Sequence, residues 1–273
     1  MKKIKCIFSL TLLMLASCNT TTDKANSENK HIIFKDGAGH TLTKDDLANV
    51  TGEVNYEIMS DRSIDARAQT LHNEARELGQ AGKYDGAIAK LQEAIKIDST
   101  WAYPIYDLAY TYLLKGDSEN ALKFYKKTDE LEPGGFFTSK TELYALEGEK
   151  SGKFPKGLYI DYMQIEWTDD ANKKLEIARA ITQNTPEFAP AWKELANLLE
   201  DKTERLQAIE QGLSKEPDAE TKGILLVNKA LLLNENGKKE EAKQLLGTLI
   251  FSPDATKGNI EIAKFTLKSI SEK

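Results

Sequence analysis

Two stretches of this chain, 68–101 and 102–135, carry one pattern at a spacing of 34 residues. In the second, Ile105, Leu108, Ala109 and Tyr112 are followed by Ala121, Tyr125 and Pro133. In the first, Leu71, Glu74, Ala75, Leu78, Ala87, Leu91 and Ser99 hold the same seven places, and Gly82 returns as Gly116. Large residues three, four and seven apart line one face of a helix, and a small residue on the next helix permits a close crossing. A Pro then stops the second helix. One such hairpin leaves its apolar face uncovered, so the unit requires neighbours of its own kind.

The register returns later in the chain. Trp192, Leu195, Ala196 and Leu199 with Ile209, Gly212 and Pro217 form a copy over 189–219 that is three residues short. Leu226, Ala230, Leu233, Gly237, Ala242 and Leu246 form another over 223–256. Between the copy over 102–135 and these two, 136–186 holds divergent helices: one from Thr138-Ser139 to near Gly152, one over Leu158–Trp167, and one capped by Asp169 or Asp170 and stopped at Pro186. Ile260, Ala263, Leu267 and Ile270 give a last helix that closes the end. The pattern resembles the tetratricopeptide repeat, W-x2-L-G-x2-Y…A-x3-F…P. That resemblance implies an all-α solenoid of antiparallel helix hairpins over 62–273, and a binding scaffold more than any single function.

The start of the chain has a different character. Lys2, Lys3 and Lys5 precede an apolar run from Cys6 to Ala16 that is too short to span a bilayer. Leu15-Ala16-Ser17-Cys18 resembles the lipobox of bacterial lipoproteins, which implies a signal peptide over 1–17, cleavage before Cys18 and lipid on that residue. The alternative is an ordinary signal peptide with a chance Cys. Asn19, in place of an Asp after the Cys, points to the outer membrane. Residues 19–30 are polar and read as a tether. Over 31–61, Ile32 and Phe34, then Val54, Tyr56 and Ile58, alternate as short strands around a helical turn near Thr43–Asp46.

Once Cys6 leaves and Cys18 is lipidated, no thiol remains for a nucleophile, a redox pair or a zinc site. Removal of 1–17 takes three of the 37 basic residues and leaves 34 against 43 acidic, a net charge of −9. Such a surface disfavours nucleic acid and anionic lipid, so the membrane contact expected is acyl chain alone. His31, His40 and His72 lack the spacing that puts two imidazoles on one helix face, and Gly37-Ala38-Gly39 lacks a following GK[ST]. No cofactor, metal or catalytic constellation is expected. The acidic residues read as evenly solvated helix faces.

The resemblance also implies where a partner would lie. In this family the first helix of each hairpin lines a concave groove. The matching positions are Gln69, His72, Asn73, Arg76 and Gly79 in the first copy, and Tyr103, Tyr106, Asp107, Tyr110 and Leu113 in the second. The helix-packing pattern needs none of the three tyrosines, whose apolar bodies and hydroxyls suit a peptide backbone or a sugar ring. Lys193, Asn197 and Asn228 match part of a carboxylate clamp, although Gly258 and Ile262 stand where its remaining Lys and Arg belong. Leu158–Trp167 is apolar nearly all round and is either enclosed or a patch for a partner. The function expected is a lipid-anchored scaffold that binds a protein or peptide of the cell envelope. The rival is a glycan- or ligand-binding lipoprotein.

Overall fold

The structure, a computed structural model, describes residues 32–36, 40–42, 54–58 and 63–271. The expected signal segment, Cys18, the expected tether, His31 and the expected turn near Thr43–Asp46 lie outside them. Three strands, β1 (Ile32–Asp36), β2 (Thr41–Leu42) and β3 (Val54–Ile58), form an antiparallel sheet ordered β2-β1-β3. Phe34 pairs with both Leu42 and Tyr56, and Ile32 pairs with Ile58.

Helix follows to the end of the described residues. Hairpins form from α1 (Ala66–Gln80) with α2 (Tyr84–Ile97), and α3 (Ala102–Leu114) with α4 (Ser118–Leu131). A single helix α5 (Ser139–Ser151) comes next, then the pair α6 (Leu158–Trp167) and α7 (Ala171–Asn184). Two more hairpins, α8 (Ala189–Leu198) with α9 (Lys202–Ser214) and α10 (Ala219–Glu235) with α11 (Lys239–Ile250), lead to α12 (Lys257–Ser271). This is an all-α solenoid.

The repeat pattern produces the same turn three times. Each needs a residue with positive φ, which glycine adopts without a Cβ clash. Gly82, Gly116 and Gly237 have φ of 69°, 83° and 78°. Behind each glycine a backbone N–H reaches back across the turn: Lys83 to Leu78 O at 2.8 Å, Asp117 to Tyr112 O at 2.9 Å, and Lys238 to Leu233 O at 2.9 Å. The short copy departs from this pattern. There α8 ends in extended backbone at Leu199, and Asp201 caps α9 through the N–H groups of Thr203 and Glu204.

The small residues sit at the crossings as the pattern requires. Ala87, Ala121 and Ala242 are fully buried, with Leu91, Tyr125 and Leu246 one turn on. The divergent middle obeys local rules too. Asp170 caps α7, and the Glu149 carboxylate of α5 accepts from the N–H groups of Gly157 and Tyr159 at 2.9 and 2.8 Å, fixing the start of α6. Helix α6 is covered along one side, where Leu158, Tyr159, Tyr162, Met163 and Ile165 are buried, while Asp161, Gln164 and Trp167 stay exposed.

Among the described residues, contacts also join elements far apart in the chain. The Lys257 N–H donates to Gly134 O at 2.8 Å, and its ammonium pairs with Glu132 at 3.1 Å. The start of α12 therefore rests on the α4–α5 connection, and α5 meets α10 through Thr141, whose hydroxyl lies 3.1 Å from Asp218 Oδ1.

Candidate functional site: the inner face of the first helices

Residues placed by the repeat register on the groove side form links between successive first helices. His72 of α1 is 3% exposed, and its Nε2 lies 2.8 Å from Asp107 Oδ2 of α3. Arg76 Nε lies 3.8 Å from the same oxygen, and its guanidinium stands 5.3 Å from the centre of the Tyr103 ring. Tyr103 in turn meets His72, Phe136 and Phe137 edge-on. Thus His72, Arg76, Tyr103 and Asp107 are brought together. Arg76, Tyr103 and Asp107 keep an exposed edge, and His72 does not.

The two other tyrosines part company. Tyr106 is 7% exposed and lies within the core, its ring against Tyr125, Phe136 and Phe137. Its hydroxyl donates to Glu142 Oε1 of α5 at 2.9 Å. The expectation that Tyr106 stands outside the packing set is therefore corrected. The added helix α5 and the Gly134–Thr138 connection cover the face that a regular repeat would leave open. Tyr110, one turn on, stays half-exposed and bonds with Trp167 of α6, itself 43% exposed.

The clamp residues are also engaged within the chain. Lys193 Nζ lies 2.8 Å from Glu194 Oε1 and 5.7 Å from the centre of the Tyr162 ring, and Tyr162 donates to that same carboxylate at 2.9 Å. Asn228 is buried, and its Nδ2 donates to Asn197 Oδ1 at 2.7 Å. Ile262 is buried, so the third hairpin offers no cation there. These pairs satisfy polar groups that the helix contacts remove from water, so a carboxylate would first have to displace them.

Several acids depart from the solvated faces expected of them. Glu142 is 1% exposed and Glu220 6%. Burial pushes the Glu142 carboxyl up to about 7, against the pull of the Thr138, Tyr106 and Tyr159 hydroxyls. Burial likewise raises Glu220 to about 7, although the Thr256 hydroxyl donates to it at 2.9 Å. Glu166 rises to about 8 through burial and then the charge of Glu194. A signal existed in the sequence. Glu142 shares a helical stripe with Ala145 and Leu146, and Glu220 shares one with Ile224 and Val227.

These features define a class: a helical-repeat solenoid whose first helices are joined by polar pairs along their inner side. Models of the tetratricopeptide repeat match residues 75–116 and 102–134. Residues 75–134 thus carry tetratricopeptide repeats. Solved structures similar to it include a thermophilic repeat protein of Thermus thermophilus, at 17% identity and a TM-score of 0.33, covering 75% of this chain and 99% of that one. The TPR2AB domain of yeast Sti1, in a pHSP90 complex, is 14% identical with a TM-score of 0.36, covering 76% and 86%. YrrB, described as having an unusual peptide-binding site, is 14% identical with a TM-score of 0.31, covering 77% and 100%.

Proposed function

We propose that this protein is a lipid-anchored scaffold that holds a protein or peptide partner of the bacterial envelope against the inner side of its first helices. The observation that carries the reading is the partly exposed run of Arg76, Tyr103, Asp107 and Tyr110, continued by Trp167. Aromatic and Arg side chains dominate interface energies, and here they stand on rigid helices. The anchor in this reading is the lipid on Cys18, with the polar residues 19–30 as a spacer, and the outer membrane is the expected address.

A photocrosslinker at Trp167 in living cells tests this directly. The expected result is one envelope protein, recovered by mass spectrometry and lost when Arg76 and Tyr110 are both changed to Ala in a protein that still folds. Cys18→Ala should release the chain from the membrane fraction. Crosslinking to no protein, with saturable binding on a glycan array, would replace this reading by the ligand-binding one.

A further inference from the structure

Where α12 begins, three elements meet at the first turn of α10. The Thr256 hydroxyl donates to Glu220 Oε2 at 2.9 Å and accepts from the Asn259 N–H at 3.2 Å. Asn259 is fully buried, and its Nδ2 donates to Ala219 O and Glu220 O, each at 3.0 Å. Gly223 makes room for it, since a Cβ there would stand 2.0 Å from that nitrogen. Thr256 also packs on Gly135 of the α4–α5 connection, and the Lys257 N–H donates to Gly134 O at 2.8 Å. The start of α12 thus holds α10 through Thr256 and Asn259, and the connection through Thr256 and Lys257.

The junction is rich in acceptors and short of donors. Glu220 is 6% exposed, and among the described residues only the Thr256 hydroxyl donates to its carboxylate. Two more oxygens of the junction, Asp218 Oδ2 and Asn259 Oδ1, are already buried without a partner. The ammonium of Lys257 is paired with Glu132 at 3.1 Å. Of the charges that bear on Glu220, those of Asp218 and Glu142 oppose its ionisation, and Lys193, which favours it, is held by Glu194 at 2.8 Å. Such surroundings accept a neutral carboxyl and penalise a charged one, which is why burial lifts Glu220 to about 7. Opening the junction lets water reach the carboxylate and returns it to its ordinary value of 4.5. Below pH 4.5 the closed form bears no penalty; the penalty grows until about pH 7 and stays constant above it.

We propose that the junction of Glu220, Thr256 and Asn259 is a pH-sensitive latch. With Glu220 neutral, the start of α12 stays docked on α10 and on the α4–α5 connection; with Glu220 charged, it releases. The connection carries Phe136 and Phe137, whose rings meet Tyr103 edge-on, so the latch governs what backs the inner side. It stands apart from the scaffold reading, because nothing in it requires a partner.

Amide exchange of the purified full-length protein at pH 5.5 and 8.5 tests the latch, each rate being divided by the intrinsic rate at that pH. Opening at Lys257 and over 256–260 is expected to increase about tenfold or more at the higher pH, as a shift from 4.5 to about 7 permits. Glu220→Gln keeps an acceptor for the Thr256 hydroxyl and cannot ionise, so this variant should stay closed at both values. Thr256→Val removes the donor to the carboxylate, so the junction should open more at both values and respond more steeply to pH. Three results overturn the proposal: equal opening of the wild type at the two values, a full response in Glu220→Gln, or an equal increase in α1 and α2 at the other end of the described helices. Should Glu220→Gln fail to fold, Thr256→Val decides, and a response unchanged from wild type refutes the latch.

Discussion

Tyr106 and Tyr110 stand one helical turn apart on α3, yet truncating each has a different consequence. Tyr106→Ala opens a cavity and strips Glu142 of a donor, so a loss of about 3–5 kcal/mol of stability is expected. Tyr110→Ala leaves the fold intact, because that ring is half-exposed. Thermal unfolding of the two variants separates them, and equal melting would refute the assignment of Tyr106 to the core. Glu142 gives a pH signature. A carboxyl raised from 4.5 to about 7 on folding is protonated more readily in the native state. Its effect on stability is neutral below pH 4.5 and increasingly unfavourable as pH rises through 7, by about 3 kcal/mol at most. Glu220 acts over the same window and Glu166 up to about 8. The protein should therefore melt several degrees lower at pH 8.5 than at pH 5.5, with part of the difference removed by Glu142→Gln. A melting temperature that rises over that interval would contradict the sign.

At the scale of the element, most boundaries were legible. The turn glycines place the turns at Gly82 and Gly116, and the periodic stripe, caps and breakers place α5, α6 and α7 within a residue or two of their observed ends. What was not legible is contact between elements distant in sequence. Glu149 caps α6 from the end of α5, and α5 covers Tyr106, and neither relation leaves a periodic trace. The same limit holds for glycine. Gly79 and Gly148 both lie inside helices, where Ala is ordinarily better by about 1 kcal/mol. A methyl at Gly79 meets nothing within 4 Å, but one at Gly148 would stand 2.1 Å from the ring of Phe154. Gly79→Ala should raise stability by about 0.5–1 kcal/mol, and Gly148→Ala should lower it by about 1–3 kcal/mol. Denaturant midpoints measure both, and a stabilised Gly148→Ala would mean that α5 and Phe154 pack less closely than described.

The whole molecule differs from a simple stack because Lys257 reaches Glu132 and Gly134. Gly135 beside them has a φ of 90°, and a Cβ there would stand 2.9 Å from Thr256. Gly135→Ala should therefore cost about 1–2 kcal/mol and speed amide exchange about tenfold both in its own connection and at the start of α12. Acceleration confined to the connection would show that the two ends do not support each other. A stack of hairpins joined only to their neighbours forms from local contacts, each closing a short loop, and can begin anywhere along its length. The pairing of Glu132 with Lys257 encloses well over a hundred residues, and the chain entropy of that ring is lost before the contact returns anything. Among the described helices, α12 is thus the one that completes the circle. Until it does, the connection after α4 lacks Thr256 and Lys257, and Glu220 lacks the Thr256 hydroxyl, so a chain without that helix in place presents a different surface.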